Sequence, residues 1–327
     1  MNEYLRDDWL EPQETAATRD GFGVGLLAAA EKDERIVMLC ADLAESTRVL
    51  DFKEKFPARF IEMGVAEQNM ASVAAGLAQY GKHPFMSSYA AFSPGRNYEQ
   101  IRTTIAINHV PVVVAGMHAG VSVGPDGATH QMLEDIGMMR MLPGFTVIVP
   151  ADSEEARKAT IASAALNTPV YLRFGREKSP VFTATTAPFE VGKANVLRED
   201  ADPHVALIAC GVLVHNALLA SAVLEKQGVG SIVINNHTIK PLDTKTLLEA
   251  ARKTGAIVTI EEHQVAGGMG SAIAELLSRE LPTPQEFIGV HDQFGQSGKP
   301  AELIEHYGMG VTHIVEAAKR AMSLREF

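Results

Sequence analysis

The residues best suited to chemistry lie in a short polar stretch between positions 117 and 131. It carries His118, Asp126 and His130 among three glycines and precedes a methionine-rich segment. A glycine-rich polar loop after a buried strand is a poor way to build a core and a common way to build a binding site. Metal binding is an alternative, but the two histidines are twelve residues apart, which matches no common zinc spacing. We therefore predict a functional site in this loop.

A glutamate and two aromatic residues form further candidates. Glu67 follows an apolar segment and opens an alanine-rich one, which predicts the first turn of a helix after a strand. Ligands of open α/β sheets bind at that place, although complementing the helix dipole is the other interpretation. Tyr89 and Phe92 lie three apart near a predicted strand end, where two rings can hold a flat heterocycle. Packing in the core is the alternative for this pair.

Two arginines, Arg173 and Arg176, lie at the end of a later predicted strand. Guanidinium groups bind phosphate oxygens in a fork geometry, so the pair predicts phosphate binding, with surface ion pairs as the alternative. The glycines at 267–270 resemble a dinucleotide-binding loop but lack its third glycine. A closely packed helix start is the better interpretation of that segment.

Charge and composition argue against several classes of protein. Asp and Glu outnumber Lys and Arg by 40 to 29, and the net charge of −11 argues against nucleic acid or an anionic membrane as a partner. The acidic N-terminus has no apolar core, so no signal peptide is expected, and no apolar run approaches the roughly 18 residues of a membrane span. Cys40 and Cys210 lie in apolar runs, which favours reduced, buried thiols and a cytoplasmic location.

Short apolar segments alternate with longer helical segments along the first half of the chain. The apolar segments lack polar alternation, which is typical of strands covered by helices on both faces of a sheet. This order predicts a mostly parallel α/β sheet. The predicted strands are 35–43, 60–63, 84–89, 110–117, 146–149 and 170–174, and the predicted helices are 19–32 (with Thr18 as N-cap), 67–79, 97–108, 131–141 and 153–167.

A segment without periodicity at 180–191, rich in proline and threonine, predicts a linker. A second α/β series follows it. The predicted fold class is therefore α/β with two domains, at 1–186 and 187–327, each a mostly parallel sheet flanked by helices. The second series has predicted strands 204–210, 231–235, 256–261 and 286–290 and predicted helices 213–227, 244–254, 270–281 and 312–322.

Three segments, in the right order, resemble the transketolase family. Residues 41–46 (ADLAES) are similar to its ADLAxS segment, 64–69 (GVAEQN) to its G-x-x-E segment and 124–131 (GPDGATHQ) to its G-x-DG-x-THQ loop. The resemblance extends over nearly the whole chain. It implies a thiamine-diphosphate pyrimidine-binding domain followed by a transketolase C-terminal domain.

The diphosphate-binding part of the family is missing. Full-length transketolases begin with a domain whose Gly-Asp-Gly motif and a later Asn hold Mg²⁺ and the diphosphate, and Gly-Asp-Gly does not occur here. The resemblance therefore implies the C-terminal subunit of a split transketolase, with no metal ligands of its own. Its N-terminal partner, carrying Gly-Asp-Gly, is expected to hold Mg²⁺ (or Ca²⁺). A cofactor site shared between subunits implies self-association into an α2β2 assembly.

The resemblance implies roles for individual residues. Glu67 matches the catalytic glutamate that hydrogen-bonds N1′ of the aminopyrimidine and must hold a proton, which burial favours. His130, also catalytic, and Asp126 match residues that bind sugar hydroxyls. The remaining implied positions are Tyr89 and Phe92 around the pyrimidine, Asp42 near the cofactor, and Arg19, Ser46, His118 and Arg176 around a sugar phosphate. Tyr89 stands where the family usually has Phe, and residues 93–96 (SPGR) depart from the usual sequence after this pocket.

The implied activity is transfer of a two-carbon ketol unit from a ketose phosphate to an aldose phosphate. Two other enzymes remain open. The β subunit of a 2-oxo acid dehydrogenase first component shares the domain layout, and half of a 1-deoxyxylulose-5-phosphate synthase-like enzyme shares the DG-x-THQ loop. A non-catalytic scaffold subunit is the alternative of another class.

Overall fold

Strands and helices alternate along most of the chain in the computed structural model, which describes residues 2–326. The strands are β1 (Thr15–Ala17), β2 (Ile36–Cys40), β3 (Phe60–Glu62), β4 (His83–Tyr89), β5 (Val113–Met117), β6 (Thr146–Ile148), β7 (Val170–Arg173), β8 (Lys178–Pro180), β9 (Asn195–Glu199), β10 (Pro203–Ala209), β11 (Gly230–Asn235), β12 (Thr238–Lys240), β13 (Ile257–Gln264) and β14 (Gln285–Val290). The helices are α1 (Thr18–Ala30), α2 (Leu50–Lys55), α3 (Glu67–Gln79), α4 (Tyr98–Gln100), α5 (Asp135–Met141), α6 (Ser153–Ser163), α7 (Leu213–Lys226), α8 (Thr244–Thr254), α9 (Met269–Glu280), α10 (Pro300–His306) and α11 (Val311–Ser323).

The first sheet has seven strands in the order β12-β6-β7-β5-β4-β2-β3. All neighbouring pairs are parallel except β12 with β6. The strands β2 and β5 are buried along their whole length, as expected when helices cover both faces. The carboxyl ends of the parallel strands meet at one edge of the sheet. The segments after β2, β3, β4, β5 and β7, which carry most of the predicted site residues, therefore lie along that edge.

The second sheet has five strands in the order β14-β13-β10-β11-β9, and only β9 is antiparallel to its neighbour. The predicted class, α/β with two mostly parallel sheets flanked by helices, is confirmed. One strand from the C-terminal half belongs to the first sheet: β12 follows β11 in sequence but pairs with β6. The two halves share a hydrophobic core that includes Val147, Ile239 and Leu247.

Helix α1 carries Arg19 in its first turn and packs closely against α6. A Cβ at Gly21 would lie only 1.9 Å from the carbonyl oxygen of Ser153, so a larger residue there would push the helices apart. A Cβ at Gly25 would likewise lie 2.6 Å from the carbonyl oxygen of Arg157, which is also on α6. The two glycines thus fix the position of α1, and with it the position of Arg19.

Several predicted helices have different bounds in the structure; the one predicted at 153–167, for example, ends at Ser163. Thr18 is the first residue of α1 and not its N-cap, because its hydroxyl accepts a hydrogen bond from the backbone N–H of Gly175 at 2.8 Å. The helix predicted at 131–141 begins only at Asp135, since Met132 forms an isolated β-bridge with Ala119. The helix predicted at 97–108 is largely a π-helical segment, Ile101–Ala106.

Several short elements escape prediction. The strands β1, β8 and β12 have three residues each, too few for a hydrophobic period to be visible. The helices α2 and α10 have six and seven residues. The strand β9 falls in the segment after the predicted linker. Short elements of this kind are fixed by tertiary contacts more than by local sequence.

Both cysteines are buried and free, as predicted, and burial raises the pKa of each thiol. Such thiols are poor nucleophiles at neutral pH.

Across residues 2–326, the helices are all too short or too polar to traverse a lipid bilayer.

The buried carboxyl of Glu155, in the first turn of α6, makes the stability of this fold depend on pH. Its oxygens accept hydrogen bonds from Asn235 Nδ2 at 2.8 Å and from the backbone N–H of Ala151 at 2.6 Å. Burial raises its pKa from 4.5 to about 7. The folded protein therefore keeps a proton that the unfolded chain loses, so the associated stability is complete at low pH and is lost as the pH rises through about 7.

We expect Glu155→Gln, which is neutral at every pH, to remove this loss. The free energy of unfolding of the wild type should fall relative to the variant between about pH 5 and pH 8, by a total on the order of 3 kcal/mol. Urea unfolding at several pH values measures the difference. The control is Glu154→Gln, a neighbouring glutamate that pairs with Arg157. Parallel pH profiles for wild type and Glu155→Gln would contradict the assignment.

Candidate active site

Glu67 is buried at the start of α3, directly after the turn that follows β3. Its side chain is 1% exposed. Its Oε2 accepts a hydrogen bond from Arg96 Nη1 at 2.8 Å, and its backbone carbonyl accepts one from Asn97 Nδ2 at 3.0 Å. The carboxylate thus faces the segment after β4 and not solvent. A residue that only complements a helix dipole needs no such burial.

Arg96 connects Glu67 to the aromatic residues. Its Cζ lies 4.8 Å from the centre of the Phe92 ring while its Nη1 pairs with Glu67. A flat N–H donor therefore stacks on an aromatic face and meets a buried carboxylate at its edge. A flat nitrogen heterocycle makes the same two contacts. Because Arg96 is 47% exposed, its guanidinium can move into solvent when such a ring takes its place.

Four rings cluster beside this position. The ring centre of Tyr89 lies 6.0 Å from that of Phe92, and the two ring planes are 24° apart. The ring centre of Tyr89 lies 4.0 Å from that of His118, and these two rings are stacked. His130 meets the edge of Phe92 at 5.4 Å, and its Nδ1 lies 2.9 Å from Thr129 Oγ1. The structure thus brings the aromatic pair after β4 and both histidines of the loop after β5 into one cluster.

Arg19 and His118 form a basic group next to Tyr89. Arg19 Nη1 lies 3.0 Å from His118 Nε2 and donates to the Ser46 carbonyl oxygen at 2.8 Å. Burial, and then the charge of Arg19, lowers the pKa of His118 from 6.5 to about 3, so the ring is neutral at physiological pH. Since a guanidinium only donates, Nε2 accepts and the ring proton is on Nδ1. Within residues 2–326, Nδ1 is buried and makes no hydrogen bond.

Arg176 follows β7 and reaches the loop after β5. Its Nη1 donates to the Val123 carbonyl oxygen at 2.8 Å and lies 4.0 Å from Asp126 Oδ1. The charge of Arg176 also contributes, after burial and the charge of Arg19, to the lowered pKa of His118. Both Arg176 and Asp126 are partly exposed, which leaves their charged groups accessible at the mouth of the site.

Arg173, the other arginine of this strand, belongs to the interior. Its side chain is 6% exposed, and its Nε donates to Asp135 Oδ2 at 2.7 Å. Tyr171 donates to the same oxygen at 2.7 Å. Phosphate binding is therefore the wrong prediction for Arg173. Residues two apart in a strand share one face, and this face of β7 is buried, whereas Arg176 lies beyond the strand end.

Asp42 and Ser46 follow β2 at the same edge of the sheet. The backbone N–H of Asp42, at a φ of +59°, donates to Glu62 Oε1 at 2.8 Å, which also accepts from the Gly64 N–H at 3.0 Å. Glu62 therefore ties the end of β2 to the turn before Glu67. The Asp42 side chain is exposed, which places it at the rim of the site. Ser46 reaches Arg19 through its carbonyl oxygen.

The two halves of the chain match two family descriptions. Residues 14–181 match "Transketolase, pyrimidine binding domain" and residues 192–314 match "Transketolase, C-terminal domain". The chain belongs to the transketolase family. These transketolase domains imply dependence on thiamine diphosphate, and the stacked, carboxylate-bound place of Arg96 fits its aminopyrimidine. Among residues 2–326, no three His, Cys, Asp or Glu side chains are arranged to hold a metal ion.

Two transketolase subunits are among the similar proteins. The 6-deoxy-6-sulfo-D-fructose transketolase subunit of Clostridium sp. (strain MSTE9) is 40% identical over 323 residues, which cover 99% of this chain and 97% of that protein. An apulose-4-phosphate transketolase subunit of Phocaeicola vulgatus is 36% identical over 303 residues, which cover 92% of this chain and 96% of that protein.

Solved transketolase structures agree in fold. A split-gene transketolase, solved as an inactive β4 tetramer, superposes with a TM-score of 0.88 at 42% identity, and the match covers 94% of this chain and 99% of that one. Transketolase from Leishmania mexicana superposes with a TM-score of 0.81 at 21% identity and shares the fold; the match covers 99% of this chain and 48% of that one.

Sequence reasoning missed several residues that shape this transketolase site. Arg96 and Asn97 contact Glu67, and Glu62 holds the turn before it. The only local signal is that Arg96 lies four residues after Phe92, in the segment that departs from the usual family sequence. Glu62 gives no signal, because its contacts depend on the pairing of β2 with β3.

Proposed function

We propose that this chain is the C-terminal subunit of a thiamine-diphosphate-dependent ketol transferase that moves a two-carbon unit from a ketose phosphate to an aldose phosphate. The observation that carries the proposal is the buried Glu67 carboxylate beside stacked aromatic rings, on the same sheet edge as the Arg19–His118 group. Thiamine diphosphate, when bound, would supply the nucleophilic carbon that this reaction requires.

Glu67 and the aromatic residues act on the pyrimidine ring. Glu67 holds a proton at ring nitrogen N1′, a task for a carboxyl group shielded from water. Phe92 and Tyr89 fix the plane of the ring by stacking. Arg96 leaves its place on Phe92 for this to happen, and its solvent exposure makes that exchange easy. Asp42 contributes from the rim, near the cofactor.

The remaining site residues act on the sugars. His130 and Asp126 bind hydroxyl groups of donor and acceptor, and His130 moves protons at the reacting carbon atoms. Arg19, Ser46, His118 and Arg176 bind the phosphate at the far end of the substrate. The free His118 Nδ1–H beside two guanidinium groups supports this role, because each donates to an anionic oxygen.

The chain acts with an N-terminal partner subunit. The sequence lacks Gly-Asp-Gly, and in this proposal the partner supplies that motif, holds Mg²⁺ (or Ca²⁺) and binds the diphosphate. The names of the similar subunits support such a division. Two copies of each subunit form an α2β2 assembly in the cytoplasm. The domain boundary is proposed at residue 186, between the two matched regions.

A sulfonated ketose is a second candidate donor. The similar subunit from Clostridium is named for 6-deoxy-6-sulfo-D-fructose. A sulfonate carries three oxygen acceptors, as a phosphate does, and therefore suits the same cluster of Arg19, His118 and Arg176. Both donors belong to the same reaction class and differ only at the anionic end.

A ketol-transfer assay tests the proposal. Xylulose 5-phosphate and ribose 5-phosphate are supplied with thiamine diphosphate and Mg²⁺, to this chain alone, to the Gly-Asp-Gly subunit alone and to their mixture. We expect turnover only in the mixture, because each subunit holds one end of the cofactor. Turnover by this chain alone would contradict the partner requirement. Turnover of pyruvate instead of sugars would favour the 2-oxo acid dehydrogenase or deoxyxylulose phosphate synthase interpretation, and an inert mixture a scaffold.

A further inference from the structure

The loop of residues 118–131, the substrate loop, is held from the second sheet by Glu262. This glutamate lies on β13 and is 5% exposed. Its Oε1 accepts a hydrogen bond from the backbone N–H of Ser122 at 2.5 Å, and its Oε2 accepts one from Ser122 Oγ at 3.1 Å. Both carboxylate oxygens therefore bind a single residue of the loop.

The contact leaves no room for adjustment. A Cβ at Gly120, whose φ is +90°, would lie 2.3 Å from Glu262 Oε1, so only glycine permits this approach. The backbone of Glu262 is itself held in place, because the backbone carbonyl oxygen of Glu262 accepts a hydrogen bond from Arg173 Nη2 at 2.9 Å. Arg173 is in turn held by Asp135. The carboxylate is thus a rigid point against which the loop rests.

The substrate loop has little regular structure to hold it. It contains one short 3-10 turn, kinked at Gly124, and positive φ angles at four positions, which are His118, Gly120, Gly124 and Gly127. Ser122 lies midway between His118 and Asp126, four residues from each. An anchor at Ser122 therefore controls where both of these side chains stand.

We propose that Glu262 is a positioning residue, through which the C-terminal domain sets the arrangement of the side chains that recognise the sugar phosphate. The proposal rests on the proposed function, since it takes the substrate loop to bind sugars. Within residues 2–326, the Glu262 carboxylate hydrogen-bonds to Ser122 and to none of the residues proposed to bind the pyrimidine or the phosphate. Its loss therefore affects the KM for sugars and leaves the affinity for thiamine diphosphate unchanged.

The neighbouring Glu261 is a matched control. It is also buried, at 1% exposure, and also accepts two hydrogen bonds, from the backbone N–H groups of Met269 at 2.7 Å and Gly270 at 2.8 Å. Successive side chains of a strand point to opposite faces, so Glu261 serves the start of α9 and not the loop. The two glutamates share strand, burial and hydrogen-bond count, and differ only in what they hold.

The experiment compares Glu262→Ala, Glu262→Gln and Glu261→Ala in the complex with the partner subunit. For Glu262→Ala we expect the KM for ketose phosphate to rise about tenfold or more, the scale of a lost buried charge-assisted hydrogen bond. Glu262→Gln keeps an acceptor for the Ser122 N–H and a donor for its hydroxyl, and restores most of the KM. Glu261→Ala lowers Tm but leaves KM within about twofold, since it does not touch the loop.

Hydrogen exchange of residues 118–131 is read in parallel and does not depend on activity. We expect exchange at Ser122 to become about tenfold faster or more in Glu262→Ala, and to stay unchanged in Glu261→Ala. If Glu262→Ala does not assemble, Ser122→Ala removes only the hydroxyl contact and is expected to raise KM about two- to fivefold.

Equal KM changes in the Glu261 and Glu262 variants, or an unchanged KM with unchanged exchange in Glu262→Ala, would overturn the proposal. A wild-type complex that transfers no ketol unit defeats the proposed function instead. The exchange measurement then still decides whether Glu262 orders the loop.

Discussion

We expect Glu67→Ala to lower the rate of ketol transfer by the assembled enzyme by roughly 10²–10⁴-fold, the usual contribution of a positioned acid. In the proposed function this buried carboxyl group holds the proton at the pyrimidine nitrogen, and alanine has no proton to offer there. The fold should survive the change. Arg96, the partner left behind, is 47% exposed and is solvated by water once Glu67 is gone.

Single-turnover and steady-state assays of the mixed subunits measure the effect, with thiamine diphosphate binding followed by titration. Glu67→Gln separates acid from shape, because it keeps the size and a hydrogen bond but loses the acidic proton. We expect it to bind cofactor and to transfer at a rate near that of the alanine variant. Glu154→Gln, in the first turn of α6, is the control for a glutamate that serves only its helix. Full activity in Glu67→Gln would leave the helix-dipole interpretation standing.

The contact between Glu67 and Arg96 explains how a buried carboxylate is kept in the chain on its own. An unpaired buried charge is costly, and the guanidinium supplies both a counter-charge and a hydrogen bond. The flat ring of the cofactor offers a hydrogen bond and a stacking face at the same place. In the proposed function, Glu67 exchanges the guanidinium of Arg96 for the ring of the cofactor, and one planar partner replaces the other in the pocket.

The fold class and the main elements could be predicted from the sequence, because these elements have clear hydrophobic patterns. The alanine-rich segment after Glu67 becomes α3, and the apolar run before His118 becomes β5. Glu67 and the loop that begins at His118 each follow a strand, as the sequence predicts. Since the carboxyl ends of parallel strands meet at one edge of a sheet, these segments lie at the same edge. The loop with His118 and His130 was visible because glycines and polar residues replace a core pattern there.

Contacts between residues far apart in the chain could not be predicted from the sequence. Glu262 lies 140 residues after Ser122, and no local pattern connects them. Arg173 and Arg176 look alike in sequence, and only the end of β7 after Arg173 separates a buried ion pair from an exposed one. The strand β12 pairs with β6 about ninety residues earlier, a register that three residues alone do not encode.

Removing both guanidinium groups, with Arg19→Ala and Arg176→Ala together, should lower kcat/KM for a phosphorylated ketose by roughly 10²-fold or more. Each arginine contributes about 1.5–3 kcal/mol as a charge-assisted donor to phosphate, and tenfold in kcat/KM corresponds to about 1.4 kcal/mol. Each single variant should lose roughly 10–100-fold. The loss should lie mainly in KM, because the phosphate is bound in the same way before and during the reaction.

The same ketose without its phosphate is the decisive control. A residue that binds phosphate has nothing to bind there, so the double variant should use the unphosphorylated sugar nearly as well as the wild type does. Arg320→Ala removes an exposed arginine that pairs with Glu286 and should change neither substrate. Equal losses for both sugars would mean that Arg19 and Arg176 only hold the loop and His118 in place. His118, with its pKa lowered to about 3, is neutral in any usual assay and adds a donor but no charge, so the anion preference depends on the two arginines.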